Sequence, residues 1–398
     1  MGIDVTLPLA GTANFVRGFD PMRPSYTYRL RSSTTDAAVD ASFDMAIARQ
    51  AGDLAEASQA GFNTVAIIDD DSVPTGDIPS FILNVIRLPS KFNYLQEGDV
   101  VGIGTGSRRF RTLYRRASSH NSFLVTDRCN HYCLMCSQPP KDVDDRWILD
   151  EIRSSIPLID PDTQSLGFTG GEPLLDWREF LDVLGVCRDH LPRTAVHVLS
   201  NGRAFVRTEV VDAWSRLNHP NLTVGIPIYA AVDHVHDYVV QARGAFDETV
   251  LGILKLKNQK QRVEVRVVLH ALTVPHIVET CRWISRNLPF VDHVALMGLE
   301  NTGFAIANEE LLWIDPVEYQ NSLAQAVDLL VAAKVRVSVY NLQRCILARS
   351  VWPYAAQSIS DWKNEFIAEC ERCIEKPHCS GFFSSGRPRR SRAISPIL

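Results

Sequence analysis

The spacing of hydrophobic residues along the chain changes near residue 118. Between residues 118 and 300, short apolar runs alternate with stretches whose apolar positions recur at helical spacing. Strands that are connected by helices in this way predict a parallel sheet with right-handed crossovers, and therefore an α/β fold. The predicted strands are 122–126, 165–169, 194–199, 222–228, 262–270 and 291–298, and the predicted helices are 147–156, 178–190, 206–216, 246–258 and 276–287.

The chain on either side of this segment has a different pattern. The predicted elements before it are a helical stretch at 44–60, a strand at 62–68, a strand or buried helix at 81–88, and a hairpin of 97–103 with 110–114. A helix at 316–333 and a strand at 335–340 precede a cysteine-rich end. We therefore expect an N-terminal α+β domain at 1–117, a sheet-and-helix domain at 118–315 and a C-terminal region at 316–398.

The composition is that of a chain that can bury a large core. Of its 398 residues, 45% are hydrophobic and 22% are charged, and the net charge is −5. The negative net charge argues against a broad nucleic-acid surface. The first residues lack the pattern of a secretion signal, and no apolar run reaches membrane-spanning length, which predicts a cytoplasmic protein with no membrane partner.

Seven of the nine cysteines fall into two groups, which indicates metal binding rather than disulfides. Cys129, Cys133 and Cys136 follow the strand at 122–126. Three thiolates hold three irons of a four-iron cluster and leave the fourth iron open. The alternatives are a zinc site that His131 completes and three reduced thiols without a metal. The two cysteines outside the groups lie on amphipathic helices, where we expect buried thiols, at positions 187 and 281.

The strand at 165–169 ends in a second motif, Gly170-Gly171-Glu172-Pro173. A Cys-x3-Cys-x2-Cys loop after one strand and Gly-Gly-Glu-Pro after the next resemble the radical S-adenosylmethionine (SAM) enzymes. The resemblance implies a partial (β/α)6 barrel in which the three cysteines hold a [4Fe-4S] cluster and SAM chelates its open iron. Cleavage of SAM would then give a 5′-deoxyadenosyl radical, so no further catalytic residue is assigned. The implied SAM contacts are Met135, Gly170, Gly171, Glu172, Pro173, Ser200, Asn201 and Arg266.

Two of these SAM contacts have other interpretations that the sequence leaves open. Asn201-Gly202 also fits a plain turn, because this dipeptide is common in turns. Arg266 and His270 lie at alternate positions of one predicted strand and share a face. An arginine on such a face pairs equally well with a structural acid or with a carboxylate of SAM.

The second cysteine group consists of Cys345, Cys370, Cys373 and Cys379. Four thiolates fill every position of one four-iron cluster or of one zinc ion. The spacing resembles the auxiliary-cluster extensions of radical SAM peptide maturases, the SPASM and twitch domains, which implies one auxiliary [4Fe-4S] cluster. The full SPASM pattern has a further cysteine where this chain has Phe383, and zinc remains the alternative.

Longer stretches narrow the resemblance to the HxsC family, the radical SAM maturases of the His-Xaa-Ser system. These stretches are 97–101, 118–121, 126–129, 134–141 and 379–383. The resemblance implies a His-Xaa-Ser repeat polypeptide as substrate and the proteins HxsB and HxsD as partners. An electron donor such as flavodoxin or ferredoxin would be needed, and no nucleic acid is expected.

The region before residue 118 carries no catalytic constellation, and we expect it to dock the peptide or to bind HxsB or HxsD. One mode of docking is the addition of a peptide strand to an exposed sheet edge. The alternatives to a peptide maturase are a radical SAM enzyme for a small metabolite and a zinc-bound, non-catalytic scaffold that binds peptides.

Overall fold

The structure is a computed structural model, and it describes residues 9–35, 37–68, 73, 78–357, 365–383 and 389–398. The chain divides into two compact units. The first consists of residues 1–123, 146–166 and 183–194, and the second of residues 124–145, 167–182 and 195–398. None of the helices in the described ranges is long and apolar enough to cross a membrane.

The first unit contains an eight-stranded sheet with the order β1-β8-β7-β3-β4-β5-β6-β2. Its strands are β1 (Ala10–Thr12), β2 (Asn14–Arg17), β3 (Ser25–Ser32), β4 (Asp44–Ala48), β5 (Thr64–Ile68), β6 (Asn84–Leu88), β7 (Val100–Gly104) and β8 (Arg109–Tyr114), with helices α1 (Ala51–Gln59) and α2 (Trp147–Ser155). The predicted hairpin is β7 with β8, which pair antiparallel. The segment at 44–60, predicted as helical, instead begins with β4, because its first residues pair with both β3 and β5.

This sheet closes on itself. Its two edge strands, β1 and β2, are separated in the chain only by Ala13, so the two edges of the sheet meet there. Phe92, Phe110 and Leu30 belong to the core that the sheet encloses, while α1 packs on a second core. The edge strands are only three and four residues long. Docking of a peptide by strand addition at an exposed sheet edge, as expected from the sequence, stays a prediction.

The second sheet has seven strands in the order β15-β14-β13-β12-β11-β10-β9. Neighbouring strands from β11 to β15 are parallel, which confirms the predicted α/β fold. Six of these strands lie within two residues of their predicted bounds, and the seventh is the strand predicted at 335–340, which pairs with β14. The strands are β9 (Asn121–Leu124), β10 (Ser165–Thr169), β11 (Ala195–Leu199), β12 (Leu222–Pro227), β13 (Arg262–Leu269), β14 (His293–Gly298) and β15 (Val337–Tyr340).

Helices alternate with these strands along the chain. They are α3 (Trp177–His190), α4 (Thr208–Arg216), α5 (Asp233–Val240), α6 (Ala245–Asn258), α7 (Ile277–Asn287), α8 (Phe304–Ala307), α9 (Glu309–Leu312) and α10 (Gln320–Ala332). Helix α5 has no counterpart among the predicted helices. Cys187 on α3 and Cys281 on α7 are buried, as predicted. Beyond β15, the described chain forms short 3-10 turns rather than long elements.

Candidate functional site

Three thiols lie together in the loop that follows β9. Cys129, Cys133 and Cys136 are all half-buried and free of disulfides. Burial, with smaller contributions from the charges of Glu172 and Cys136, raises the pKa of Cys129 to about 11. The pKa of Cys133 is also raised, first by burial and then by the other two thiols. Burial therefore favours protonated thiols in this loop, and a metal centre would have to displace those protons to bind.

The start of this loop is fixed by Asp145. Its carboxylate accepts hydrogen bonds from Thr126 Oγ1 (2.8 Å) and the Asp127 amide (2.6 Å), and it pairs with Arg128 Nε at 2.9 Å. Burial raises the pKa of Asp145, but these three donors outweigh it and lower the pKa. The Arg128 guanidinium also pairs with Asp176. Sequence reasoning missed Arg128, Asp145 and Asp176, because no local pattern indicates that they meet.

The far end of the loop is fixed by two helices. The amide of Leu134 donates to the Val239 carbonyl on α5 (2.9 Å). At α8, the Phe304 amide donates to the Cys136 carbonyl (2.9 Å). A Cβ atom at Gly303, which precedes α8, would lie 2.4 Å from that same carbonyl oxygen. The Asp145 side chain thus holds the start of the cysteine loop, and backbone hydrogen bonds hold its far end.

The glycine turn after β10 lies directly against the cysteine loop. The Gly171 amide donates to the Thr126 carbonyl and the Glu172 amide to the Arg128 carbonyl, both at 2.8 Å. Gly170 has a φ of +130°, and a Cβ at Gly171 would lie 1.9 Å from the Arg128 oxygen. Side chains at these positions would separate the turn from the loop, so the approach requires glycine.

Glu172 links the turn to the end of β11. Its buried carboxylate accepts hydrogen bonds from the Leu174 amide (3.0 Å), Ser200 Oγ (2.9 Å) and the Asn201 amide (2.7 Å). Burial raises the pKa of Glu172, and these hydrogen bonds oppose the rise. Pro173, also buried, begins the turn that follows.

Asn201 extends this connection to the cysteine loop. Its Nδ2 donates to Asn130 Oδ1 at 2.6 Å, between two of the cysteines. Hydrogen bonds therefore join the segments that follow the carboxyl-terminal ends of β9, β10 and β11. In proteins with parallel sheets, active sites lie at the carboxyl-terminal ends of the strands, where these segments are.

His131 is buried within the cysteine loop. Burial, followed by the charge of Arg203 and the proximity of His236, lowers the pKa of His131 to about 3. Neither ring nitrogen has a hydrogen-bond partner among the described residues. A zinc site completed by His131 therefore stays the alternative to a three-cysteine cluster site.

Met135 and Arg266 have contacts that the sequence could not specify. Met135 is buried in an apolar cluster with Tyr229, Val239 and Leu312. Arg266 Nη1 lies 3.1 Å from Glu264 Oε1, and its Nη2 lies 2.9 Å from Met297 Sδ. Arg266 thus pairs with an acid within the sheet, and a SAM contact for Met135 or Arg266 stays a prediction.

Glu264 is the centre of a wider polar network. His293 Nδ1 lies 2.7 Å from Glu264 Oε2, and His197 Nε2 lies 3.3 Å from Oε1. Burial raises the pKa of Glu264, but the two histidines and Arg266 outweigh it and lower the pKa. Glu264 therefore stays ionised, and it fixes the orientation of Arg266.

The four C-terminal cysteines line one cavity of about 320 Å³, together with Phe366, Phe382 and Ile397. The Ile397 amide donates to Cys373 Sγ at 3.4 Å. In the described part of the chain, no group of three His, Cys, Asp or Glu side chains is arranged to hold a single metal ion. A four-iron cluster binds each thiolate at a different iron, so it fits thiols that surround a cavity.

The sequence profile of the Radical SAM superfamily matches residues 123–284. No curated protein matches the chain. Streptococcus suis SuiB bound to S-adenosylmethionine is similar in structure with 12% identity and a TM-score of 0.45, covering 61% of this chain and 53% of that one. This chain thus spans about half the length of SuiB.

Two further solved structures are also similar. Native anSMEcpe with bound AdoMet has 15% identity and a TM-score of 0.48, covering 69% of this chain and 91% of that one. A radical SAM methyltransferase from Sphaerobacter thermophilus has 13% identity and a TM-score of 0.44, covering 62% and 74%. By the profile match at residues 123–284, the chain contains a radical SAM domain, the iron–sulfur and SAM-dependent catalytic module of that superfamily.

Proposed function

We propose that this chain is a peptide maturase that cleaves SAM reductively and modifies a His-Xaa-Ser repeat polypeptide, as expected of the HxsC family. The observation that carries the proposal is the junction of three strand ends, in which Asp145, Glu172 and Asn201 hold the cysteine loop. When bound there, a [4Fe-4S] cluster would supply the electron that cleaves SAM to methionine and a 5′-deoxyadenosyl radical.

The residues of the chain have separate roles in this proposal. Cys129, Cys133 and Cys136 hold the cluster. Gly170 and Gly171 keep the turn close to the loop, so that backbone groups can approach SAM. A carboxylate has about four acceptor positions, and Glu172 uses three for protein donors. The resemblance assigns the amino group of SAM to this turn, and a contact with Glu172 would use its remaining acceptor position.

The C-terminal cysteines would hold one auxiliary [4Fe-4S] cluster in a SPASM- or twitch-like region. The shared cavity of about 320 Å³ supports this assignment, and thiolates are the ligands that both iron–sulfur clusters and zinc select. Zinc is the second candidate for this cavity. Metal analysis of the reconstituted protein separates the two: about eight irons per chain for two clusters, or about four irons and one zinc.

We place the substrate, HxsB, HxsD and an electron donor such as flavodoxin or ferredoxin among the partners. The N-terminal α+β region, proposed at 1–117, would bind one of them, and addition of a peptide strand to an exposed sheet edge is one mode of docking. Nine free cysteines fit a reducing compartment such as the cytoplasm. The radical SAM part would cover 118–315 and the auxiliary region 316–398.

The test is anaerobic reconstitution with iron and sulfide, followed by reduction in the presence of SAM and a His-Xaa-Ser repeat peptide. We expect 5′-deoxyadenosine and a mass change in the peptide. SAM cleavage with an unchanged peptide would favour a small-metabolite substrate instead. A protein that takes up only zinc and leaves SAM intact would favour the non-catalytic scaffold.

A further inference from the structure

The segment 389–398 lies against the second cysteine group. The Ile397 amide donates a hydrogen bond to Cys373 Sγ at 3.4 Å, and the Ile397 carbonyl accepts one from the Ile374 amide at 2.9 Å. Ser395 and Ile397 line the cavity that the four cysteines share. The backbone of Ile397 is therefore fixed on both sides, next to one of the thiols that would bind the auxiliary cluster.

A second amide of the segment contacts another thiol of the group. Burial raises the pKa of Cys345, and a hydrogen bond from the Ser395 amide opposes the rise. Pro396 stands between the two donors and has no N–H of its own. The two amides that flank Pro396 thus each act on one of the four thiols.

Ion pairs hold the beginning of the segment in place. The Arg392 amide donates to Asp315 Oδ2 at 3.1 Å, and the Arg392 guanidinium pairs with Asp315 and Glu318. Arg389 pairs with Glu309 on α9. These three acids lie on α9 and just before α10, in the same compact unit as the cysteines. The segment is therefore held beside the thiols by contacts that do not involve the cysteines.

A backbone N–H next to a cluster thiolate changes the energy of the reduced cluster. Reduction adds one negative charge to an iron–sulfur cluster, and a hydrogen-bond donor at a ligand sulfur stabilises that charge. Hydrogen bonds to the sulfurs are among the factors that set the reduction potential of a cluster. Zinc has no redox chemistry, so only a cluster in this cavity would respond in this way.

We propose that two backbone amides of the segment 389–398 raise the reduction potential of the auxiliary cluster by hydrogen bonding to two of its thiolates. The donors are Ile397, to Cys373, and Ser395, to Cys345. The inference rests on the proposed function, because it requires a cluster rather than zinc in this cavity. It goes further in giving a role to Ile397 and Ser395, which belong to neither cysteine group. Both are positioning residues, because they act through the ligands of the cluster.

The test measures the reduction potential of the auxiliary cluster. The Ile397→Pro variant lacks the amide N–H, whereas Ile397→Ala keeps it and loses most of the side chain, so the pair isolates the amide. Both are made in the full chain with Cys129, Cys133 and Cys136 replaced by Ala, so that only the auxiliary cluster titrates. The parent and both variants are reconstituted anaerobically with iron and sulfide. Electron paramagnetic resonance then follows the reduced cluster at a series of fixed potentials.

We expect reduction of the Ile397→Pro protein to be about tenfold less favourable than reduction of the Ile397→Ala protein, which is about 59 mV lower for a one-electron couple. The Ile397→Ala protein should stay within about threefold of its parent, because its amide remains. A purely structural role of the side chain would instead shift the Ala variant.

A second measurement needs no variant. Hydrogen exchange of residues 394–398 in the wild-type chain should be about tenfold slower after cluster loading than in the metal-free protein, because a thiolate accepts a hydrogen bond more strongly than a thiol. If the Ile397→Pro protein takes up no cluster, this exchange measurement decides.

Two results would overturn the inference while leaving the proposed function intact. One is an equal potential of the Ile397→Pro and Ile397→Ala proteins. The other is equal exchange of residues 394–398 in the loaded and metal-free wild-type chain. Zinc in place of about four irons in the parent protein would overturn both the auxiliary-cluster assignment and the inference.

Discussion

The two cysteine groups are built in different ways. The first group is short, and residues outside it hold it in place. Asp145 binds the start of the loop, and Glu172 and Asn201 connect the loop to the ends of β10 and β11. The second group spreads from Cys345 to Cys379 across short 3-10 turns. The sheet therefore builds the first site before any metal arrives, whereas the second site depends more on the metal for its order.

The contacts around the second group show how it is held. Gln343 reaches the Gly381 carbonyl, Arg344 Nη1 pairs with Glu375 Oε2 at 2.5 Å, and a single isolated β-bridge joins Glu365 to Phe382. These contacts connect distant parts of the chain but form no continuous ladder. Removing the cysteines of the first group should consequently abolish function. Removing those of the second group should disturb the folded structure of the C-terminal region.

The largest expected effect is on SAM cleavage. Replacing Cys129, Cys133 and Cys136 with Ala should abolish 5′-deoxyadenosine formation and remove about four irons per chain, because the open iron is lost. Chromatography and iron analysis after reconstitution measure both. The control is the Cys187→Ala variant, which changes a buried thiol outside both groups. This variant should bind as much iron as the wild-type protein. SAM cleavage by the triple variant would contradict the assignment.

The second prediction concerns order in the C-terminal region. Replacing Cys345, Cys370, Cys373 and Cys379 with Ala should destabilise residues 365–383 locally by several kcal/mol, because ligation and folding are coupled there. Hydrogen exchange should rise by orders of magnitude in that segment and stay unchanged in β11 to β14. An equal loss of protection from hydrogen exchange in residues 365–383 and in β11 to β14 would contradict the prediction, because the effect would then not be local to the second cysteine group.

A third prediction tests the ion pairs that hold the loop of the first cysteine group. Arg128→Gln removes the partner of Asp145 and Asp176, so the start of the loop should loosen. Outer-shell changes of this kind typically weaken metal retention about 10–100-fold. Loss of iron to a chelator over time measures this effect. Arg153→Gln, which breaks an exposed ion pair with Asp150, is the control and should retain iron like the wild type.

The smallest effect is a dependence of stability on pH within the sheet domain. Burial lowers the pKa of His270 to about 4, below its ordinary value near 6.5. The unfolded chain therefore binds this proton more readily, and stability present above pH 6.5 falls as the pH drops toward 4, by about 1.4 kcal/mol per unit. Denaturant unfolding at pH 7 and pH 5 measures the slope. A His270→Gln variant should show a shallower slope; an unchanged slope would contradict this assignment.

The sequence predicted the sheet domain well, because its strands and helices have strong local periodicity. β10 lies at its predicted bounds, and the others shift by one or two residues. The closed sheet of the first unit was not predictable, because closure depends on Ala13 lying between two strands that pair with distant partners. The segment Asp44–Ala48 has the local propensity of a helix, but it forms a strand because it pairs with β3. That pairing with a distant segment is not visible in the local sequence.

Within the site, the three cysteines and Gly170 to Glu172 were predictable because they belong to short sequence motifs. Asp145 was not, since its partners Thr126 and Arg128 are 19 and 17 residues away along the chain. Only the folded chain shows which buried polar groups are satisfied.

The most direct test of the central claim is electron paramagnetic resonance of the reduced, reconstituted protein with and without SAM. The account predicts a cluster signal that changes when SAM is added, because SAM binds the open iron of the first group. That SAM-dependent change should disappear in the Cys129, Cys133 and Cys136 triple variant, while a second signal persists. A spectrum that SAM leaves unchanged in the wild-type protein would contradict the account.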